Sequence, residues 1–427
     1  MTRISGSIGG QRLRRLPHVA VGIGDSRVDA IYQDGAGTGR NGYNYGAFSP
    51  LNWANALMGQ RLVLLGQQYG VSGDRTDQML ARIDAAVASG AGLLYIQGGV
   101  NDITQQYPSA GTSGATAAAN IVTMAEKGRR AGMVVVIEME VGTGAWTDAS
   151  RLGQWLELNR RLRDYTDVTP GVYPHDARSI VLDPATASNA IAYRSGYSWD
   201  PTHANGRGAY RWGKSLATLL ASIVPVRAPL LLASRAEGDV ANGRRQLADN
   251  PLFTTASGGT LMNGATGTGP QSWLFGPTAA GPTATISTEA NAIANAAVCD
   301  ITFTAAAQEI RYQQSVNLAN WQAGDVVQMI ADVEIVTPGV LSGVYGTLDI
   351  NVAGVSKTMY ALFSLAGAAY LGPDEACRYT LLTRPFTIPA GAKGWMVPAV
   401  RAASSAAGGG KFKVHQCAVL RRADQGM

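Results

Sequence analysis

Two rhythms of apolar residues divide this chain of 427 residues. Up to about residue 225, short continuous apolar runs alternate with stretches of helical spacing. The runs are His18–Ile23, Arg61–Gly66, Leu93–Gln97, Met133–Met139 and Ile180–Asp183. Runs of this kind suit parallel strands buried on both faces. Between them, Thr76–Ser89 carries Met79, Leu80, Ile83 and Val87 on one helical face and stops at Gly90, a residue suited to ending a helix. Arg151–Tyr165 places Leu152, Trp155, Leu156, Asn159 and Leu162 at helical spacing, which predicts core positions. Gly206–Val224 does the same with Leu216, Leu219, Leu220 and Ile223. Strands alternating with helices predict a three-layer α/β domain over residues 1–225, with a five-stranded parallel sheet.

Beyond about Asn250 helical spacing disappears and Gly, Ala and Thr become dense. Val327, Met329, Ala331, Val333 and Ile335 alternate with Gln328, Ile330, Asp332 and Glu334, and Phe412 and Val414 alternate with Lys411, Lys413 and His415. Period-two patterning with turn signals predicts an all-β, jelly-roll-like sandwich over residues 249–427. Residues 226–248, with Pro229 and several charges, read as a linker. The change of rhythm implies a separate core for each half, so that residues 1–230 would fold alone. Tyr312, Trp321, Tyr345, Tyr360, Tyr379 and Trp395 read as core aromatics first and as sugar-stacking platforms second.

Residues 34–60 form a Gly-, Asn- and Tyr-rich insertion. It contains Gly37-Thr38-Gly39-Arg40-Asn41-Gly42, formally a dinucleotide fingerprint. No strand leads into it within a βαβ unit, so a cofactor reading is set aside and the loop is expected to shape a cleft.

Composition narrows the classes further. The net charge of +5 is dispersed, and no basic patch interleaved with aromatics suggests nucleic-acid binding. Arg3, Arg12, Arg14 and Arg15 make a basic start that reads as a solvated end. Cys299, Cys377 and Cys417 lack metal-ligand spacing, and their odd number argues against a disulfide framework. They are expected to pack as small apolar groups. The start of the chain lacks the apolar core of a secretory signal, and no apolar run reaches the roughly 18 residues of a membrane span. Synthesis in the cytoplasm is expected, with another route needed for any work on a virion or outside a cell.

The chemistry-bearing residues fall in four short blocks. Val19-Ala20-Val21-Gly22-Ile23-Gly24-Asp25-Ser26 is a strand-type run ending in a serine, where α/β sheets place their chemistry. Ser72-Gly73-Asp74, Gly99-Val100-Asn101-Asp102 and Asp200-Pro201-Thr202-His203 follow in order. Each has a bland reading: Asp25-Ser26 as a helix cap, Asn101-Asp102 as a cap or turn, and Asp200-Pro201 as a turn before a surface histidine. Taken together, the four blocks resemble the SGNH (GDSL-type) hydrolase family of esterases and lipases. The region from Asn250-Pro251-Leu252-Phe253 to Arg311-Tyr312 is similar to the openings of carbohydrate-binding modules and phage-tail-associated β-domains.

The resemblance implies a flavodoxin-like fold and a serine mechanism without metal or cofactor. Ser26 would be the nucleophile and His203 its base, with Asp200 orienting the imidazole. The Ser26 and Gly73 amides and the Asn101 side chain would hold the oxyanion. Of the other histidines, His18 lies at the start of the first strand and His175 in a loop before the fifth, so neither suits a base. Arg27 stands where the family usually has leucine; it would meet an anionic substrate group or pair with a nearby carboxylate. Trp199 is the second candidate substrate contact. The expected reaction is hydrolysis of an acyl ester, first an acetyl ester on a polysaccharide. A lipase or thioesterase acting on small acyl chains, or a virion or cell-surface binding protein with a vestigial site, are the alternatives. The β-domain leaves a homo-oligomer open.

Overall fold

A computed structural model describes residues 15–32, 44–106, 113–227, 230–238, 246–364 and 367–422. The first half alternates strand and helix in the order β1 (Val19–Gly24), α1 (Ser26–Asp29), β2 (Asn44–Gly46), α2 (Pro50–Leu57), β3 (Val63–Leu64), β4 (Tyr69–Gly70), α3 (Thr76–Ala88), β5 (Leu93–Gln97), α4 (Gly114–Arg130), β6 (Val134–Glu138), α5 (Ala149–Val168), β7 (Val172–His175), α6 (Arg178–Val181) and α7 (Gly206–Ile223). The central sheet runs β3-β1-β5-β6-β7, with β4 also beside β1, and every pairing is parallel.

Alternate residues of each strand face opposite layers. Leu94 and Ile96 join Met79 and Ile83 of α3, Ile121 and Met124 of α4, and Leu158 and Leu162 of α5. Leu93 and Tyr95 face Val28 of α1, Leu51 and Ala54 of α2, and Leu216 and Leu220 of α7. The three-layer α/β architecture is therefore present. It places the C-terminal ends of β1, β5 and β6 along one edge.

Two elements differ from their sequence patterns. Ile180–Asp183 does not form the fifth strand. Ile180 and Val181 sit on the helical turn α6, which packs with α7, and Leu182 bridges to Tyr193, while β7 takes the sheet edge. Pro174 hid that strand, yet a proline is tolerated on an edge. On α5, Leu156 is exposed rather than core, because the helix buries only the stripe through Leu152, Leu158, Asn159 and Leu162. The helix α4 carries little apolar signal of its own, buries small residues such as Ala117 and Ala118, and is capped by Ser113.

The second half builds two seven-stranded sheets, antiparallel except for the short strands Asn44–Gly46, Thr260–Leu261 and Thr266–Gly267, which pair in parallel. One runs Asn44–Gly46, Val355–Phe363, Leu341–Val352, Lys393–Ser404, Glu309–Gln313, Leu274–Pro277 and Thr260–Leu261. The other runs Cys377–Leu382, Val326–Thr337, Gly408–Arg422, Asn295–Phe303, Thr283–Ala290 and Thr266–Gly267, with Phe386–Thr387 also beside Val326–Thr337. Val327, Met329, Ala331, Val333 and Ile335 face the core as expected, but the strand is not half-buried: Gln328, Ile330 and Asp332 on its other face are buried as well, Ile330 against Leu232, Leu252 and Leu382. Tyr312, Trp321, Tyr345 and Tyr379 are buried, Tyr360 is half-buried, and Trp395 is exposed. The three cysteines are free and lie in strands.

Beside the two clusters that lie within the α/β half, the halves share a third, contrary to the expectation of wholly separate cores. One apolar cluster joins Trp53, Tyr210 and Trp212 of the α/β half to Met329, Leu348 and Tyr379 of the β half. The Trp53 ring stands edge-on to Tyr210 at 5.3 Å and to Tyr379 at 5.2 Å. The strand β2, from the insertion after β1, is itself an edge of a C-terminal sheet. Polar ties reinforce the seam. Gln60 Nε2 donates to the Thr380 carbonyl at 2.6 Å, and Arg211 meets Asp374 and Glu375 at 2.8 Å each. Within the expected linker, Leu232 packs with Leu252, Ile330 and Leu382, and its N–H donates to Gln416 at 2.8 Å. The Gly37–Gly42 motif, Arg3, Arg12 and Arg14 lie outside the described residues.

Candidate active site

The first block forms a strand, a single extended residue and a helical turn. Asp25 closes β1 and caps α1, its Oδ1 accepting from the Arg27 amide at 3.0 Å. The cap reading of Asp25-Ser26 therefore holds, and it leaves Ser26 free as the first helical residue. Ser26 Oγ lies 2.8 Å from His203 Nε2. The fourth block is a compact turn in which Asp200 Oδ1 accepts from the amides of Thr202 and His203, both at 2.7 Å. Its Oδ2 meets His203 Nδ1 at 2.7 Å and accepts from Trp199 Nε1 at 3.0 Å. Burial raises the carboxyl's pKa, but the hydrogen bonds from the His203 ring and the two amides outweigh it and hold Asp200 below the usual range. Asn205, directly after this turn, caps α7 through the amides of Arg207 and Gly208.

The second and third blocks face the same point. Gly73 adopts a φ of +83°, so the turn needs glycine for its backbone conformation. A Cβ there would meet no protein atom, so crowding is not the reason. Arg82 of α3 braces this turn, bonding the Tyr69 carbonyl at 3.0 Å, the Gly24 carbonyl at 2.8 Å and the Asp74 carboxylate. Asn101 Nδ2 donates to the Asp74 carbonyl at 3.0 Å. Asp102, buried beneath, accepts from Thr76 N at 3.0 Å and Thr76 Oγ1 at 2.6 Å.

These blocks line one cavity of about 390 Å³. Ser26, Gly73, Asn101, Asp200 and His203 form its polar side, while Phe48, Val100, Trp199 and Trp212 form apolar walls. The Trp199 ring packs edge-on against Phe48 at 4.5 Å and lies 6.0 Å from the His203 ring.

Residues 23–211 match the model of the GDSL-like lipase/acylhydrolase family. The chain carries a GDSL-like acylhydrolase domain. Its enzymatic class is thus carboxylic ester hydrolase. Among solved structures, a GDSL-like lipase from Bacteroides thetaiotaomicron is similar at 17% identity and a TM-score of 0.34, over 49% of this chain and 88% of that one. An acetylxylan esterase from Geobacillus stearothermophilus is similar at 16% identity and a TM-score of 0.36, over 50% of this chain and 96% of that one. Neither fit bears on the substrate. A search of curated proteins finds no match.

Of the two readings of Arg27 the structure shows the carboxylate pair, and it moves His175. Arg27 borders the cleft, but its guanidinium is turned into a buried ion pair with Glu140 at 2.6 Å rather than toward a substrate. His175 lies at the end of β7, not in a loop before it. It is buried, with Nδ1 on Glu138 at 2.7 Å and Nε2 3.1 Å from Ser215. Burial lowers its pKa, but the Glu138 carboxylate outweighs burial and raises it overall.

Asp25 and Glu140 did not stand out as functional in sequence. Burial raises the Asp25 pKa to about 6, with Arg27 opposing and Glu140 adding to the rise. Among the described residues no cluster of His, Cys, Asp and Glu suits a metal, and no helix is long and apolar enough to cross a membrane.

Proposed function

We propose that the protein hydrolyses short acyl esters on carbohydrate through an acyl-enzyme on Ser26. The observation that carries this is the line of hydrogen bonds from Ser26 Oγ through His203 to Asp200, opening on the cleft. His203 takes the Ser26 proton as the hydroxyl attacks the ester carbonyl, and Asp200 stabilises the resulting imidazolium. The oxyanion is held by the amides of Ser26 and Gly73 and by Asn101 Nδ2. The His203 proton passes to the leaving alcohol. Water, deprotonated by the same imidazole, then releases the acid and restores Ser26.

The cavity lies at the small end of the roughly 300–1,000 Å³ range of ligand pockets, which supports a short acyl group. The half-buried Trp199 ring, beside the base and next to Phe48, supports a ring-shaped alcohol such as a sugar. The test is a panel of esters from acetyl to long acyl, including acetylated glycans, run with wild type and Ser26→Ala. The expected result is strongest turnover on acetyl esters, with acetate released from glycans, and none in Ser26→Ala. Preference for long acyl chains would replace this reading with that of a lipase.

A further inference from the structure

The ion pair of Arg27 lies between the two loops that must meet for chemistry. Arg27 follows Ser26 on α1, a helix of four residues, too short to be stiff alone. Its Nη1 donates to Glu140 Oε1 at 2.6 Å and its Nη2 to the Gly142 carbonyl at 2.9 Å. The same Glu140 oxygen accepts from the Gly142 amide at 2.7 Å. Glu140 is held in turn by α5, its carbonyl accepting from Trp155 Nε1 at 2.6 Å and Asn159 Nδ2 at 2.9 Å. The next two residues reach the acid–base turn. Thr143 Oγ1 donates to the Pro201 carbonyl at 3.1 Å and lies 2.7 Å from Thr202 Oγ1, and the Gly144 amide donates to the Pro201 carbonyl at 2.8 Å. One continuous path therefore joins the residue beside the nucleophile to the residue before the base.

We propose that Arg27 and the segment Glu140–Gly144 act as a positioning bridge that sets the separation of Ser26 and His203. This inference rests on the Ser26 mechanism proposed above. The side chains of the pair are 5% and 0% exposed. A buried pair of this kind is a poor source of stability, since apolar residues of similar volume often serve folding as well or better. What it supplies is direction. The planar fork binds a carboxylate and a carbonyl at once, which neither a lysine nor an apolar side chain can do. A displacement of about 1 Å between reacting groups costs on the order of a hundredfold in rate, so such a brace acts on turnover more than on binding.

The test uses the full chain with p-nitrophenyl acetate, a fluorophosphonate probe and urea unfolding. Arg27→Lys keeps the charge opposite Glu140 but loses the fork to Gly142. It is expected to fold, with kcat and the rate of Ser26 labelling down about ten- to hundredfold and KM within about twofold. The double variant Arg27→Met with Glu140→Met removes both buried charges. It is expected to regain wild-type resistance to urea while kcat stays low, a split that a merely structural pair would not give. Wild-type kcat and labelling in the double variant overturn the bridge. If that variant does not fold, Arg27→Lys decides, and wild-type kcat there overturns it equally. A wild-type protein that neither labels nor turns over refutes the Ser26 mechanism itself, which separates the two failures.

Discussion

Removing the Trp53 ring tests whether the two halves form one folding unit. Trp53 lies on α2 in the α/β half and is 2% exposed. It touches Tyr210 of the same half and Tyr379 of the β half, and its Nε1 donates to the Ala47 carbonyl at 2.7 Å. Trp53→Ala leaves a cavity at the seam, which costs about 3–5 kcal/mol for a residue of this size. That range already contains much of the two edge-on contacts, each about 0.5–1.5 kcal/mol. The orphaned carbonyl adds on the order of 1 kcal/mol. A total near 5 kcal/mol is comparable with the whole stability of many domains, about 5–15 kcal/mol. Urea unfolding followed by hydrogen exchange reads both halves in one experiment. Protection is expected to fall together in β5 and in the strand Val326–Thr337, with a single transition. Two separate transitions, with exchange in Val326–Thr337 unchanged, would refute the shared core. So would a fragment of residues 1–227 that folds cooperatively and cleaves p-nitrophenyl acetate at the full rate.

The remaining predictions concern the site. His203→Ala should lower kcat by about 10⁶-fold and Asp200→Asn by about 10⁴-fold; a comparable loss from His175→Ala, with folding intact, would move the base. Asn101→Ala should cost about 10²–10³ in kcat, and an effect confined to KM would make it a binding residue instead. Asp25→Asn keeps a capping side chain but removes the titration. The folded carboxyl holds its proton up to about pH 6, against an ordinary value of 3.8. Wild-type stability relative to Asp25→Asn should therefore fall as pH rises through that window and level off above it. A relative stability that stays flat from pH 4 to 8 in urea unfolding would show that Asp25 is not protonated by burial.

What could be read from the sequence follows how local each signal was. β5 and α3 carry their burial in their own spacing, so their limits were legible. Asp200 and His203 are three residues apart, and Ser26 ends a strand, so only one long-range meeting had to be assumed. Arg27 and Glu140 are separated by 113 positions, and nothing near either names the other. Ile180 and Val181 look like a strand because an apolar pair has no period, and only packing against α7 makes them a helical turn. The strand β2 was illegible for a similar reason. Its three residues have no pattern of their own and gain pairing only from a sheet more than 300 residues away in sequence.

That distant pairing also bears on how the β half acts on the cleft. Phe48, one wall of the cavity, lies two residues beyond the end of β2, so its place depends on a strand held in a C-terminal sheet. The Tyr370 ring of the β half lies 6.0 Å from Phe48. After His203, α7 begins at Gly206, where a Cβ would stand 2.8 Å from the Leu371 carbonyl oxygen. Only glycine lets the β-half loop come this close to the helix that follows His203. Arg211 and Lys214, one and two turns further along α7, fasten the same loop through Asp374 and Glu375. The β half therefore shapes both the aromatic wall and the helix behind the base. Changes at Tyr370 or Leu371 should therefore alter acyl preference even on small soluble esters, read as the ratio of kcat/KM for p-nitrophenyl acetate and butyrate, and an unchanged ratio would refute this role of the β half.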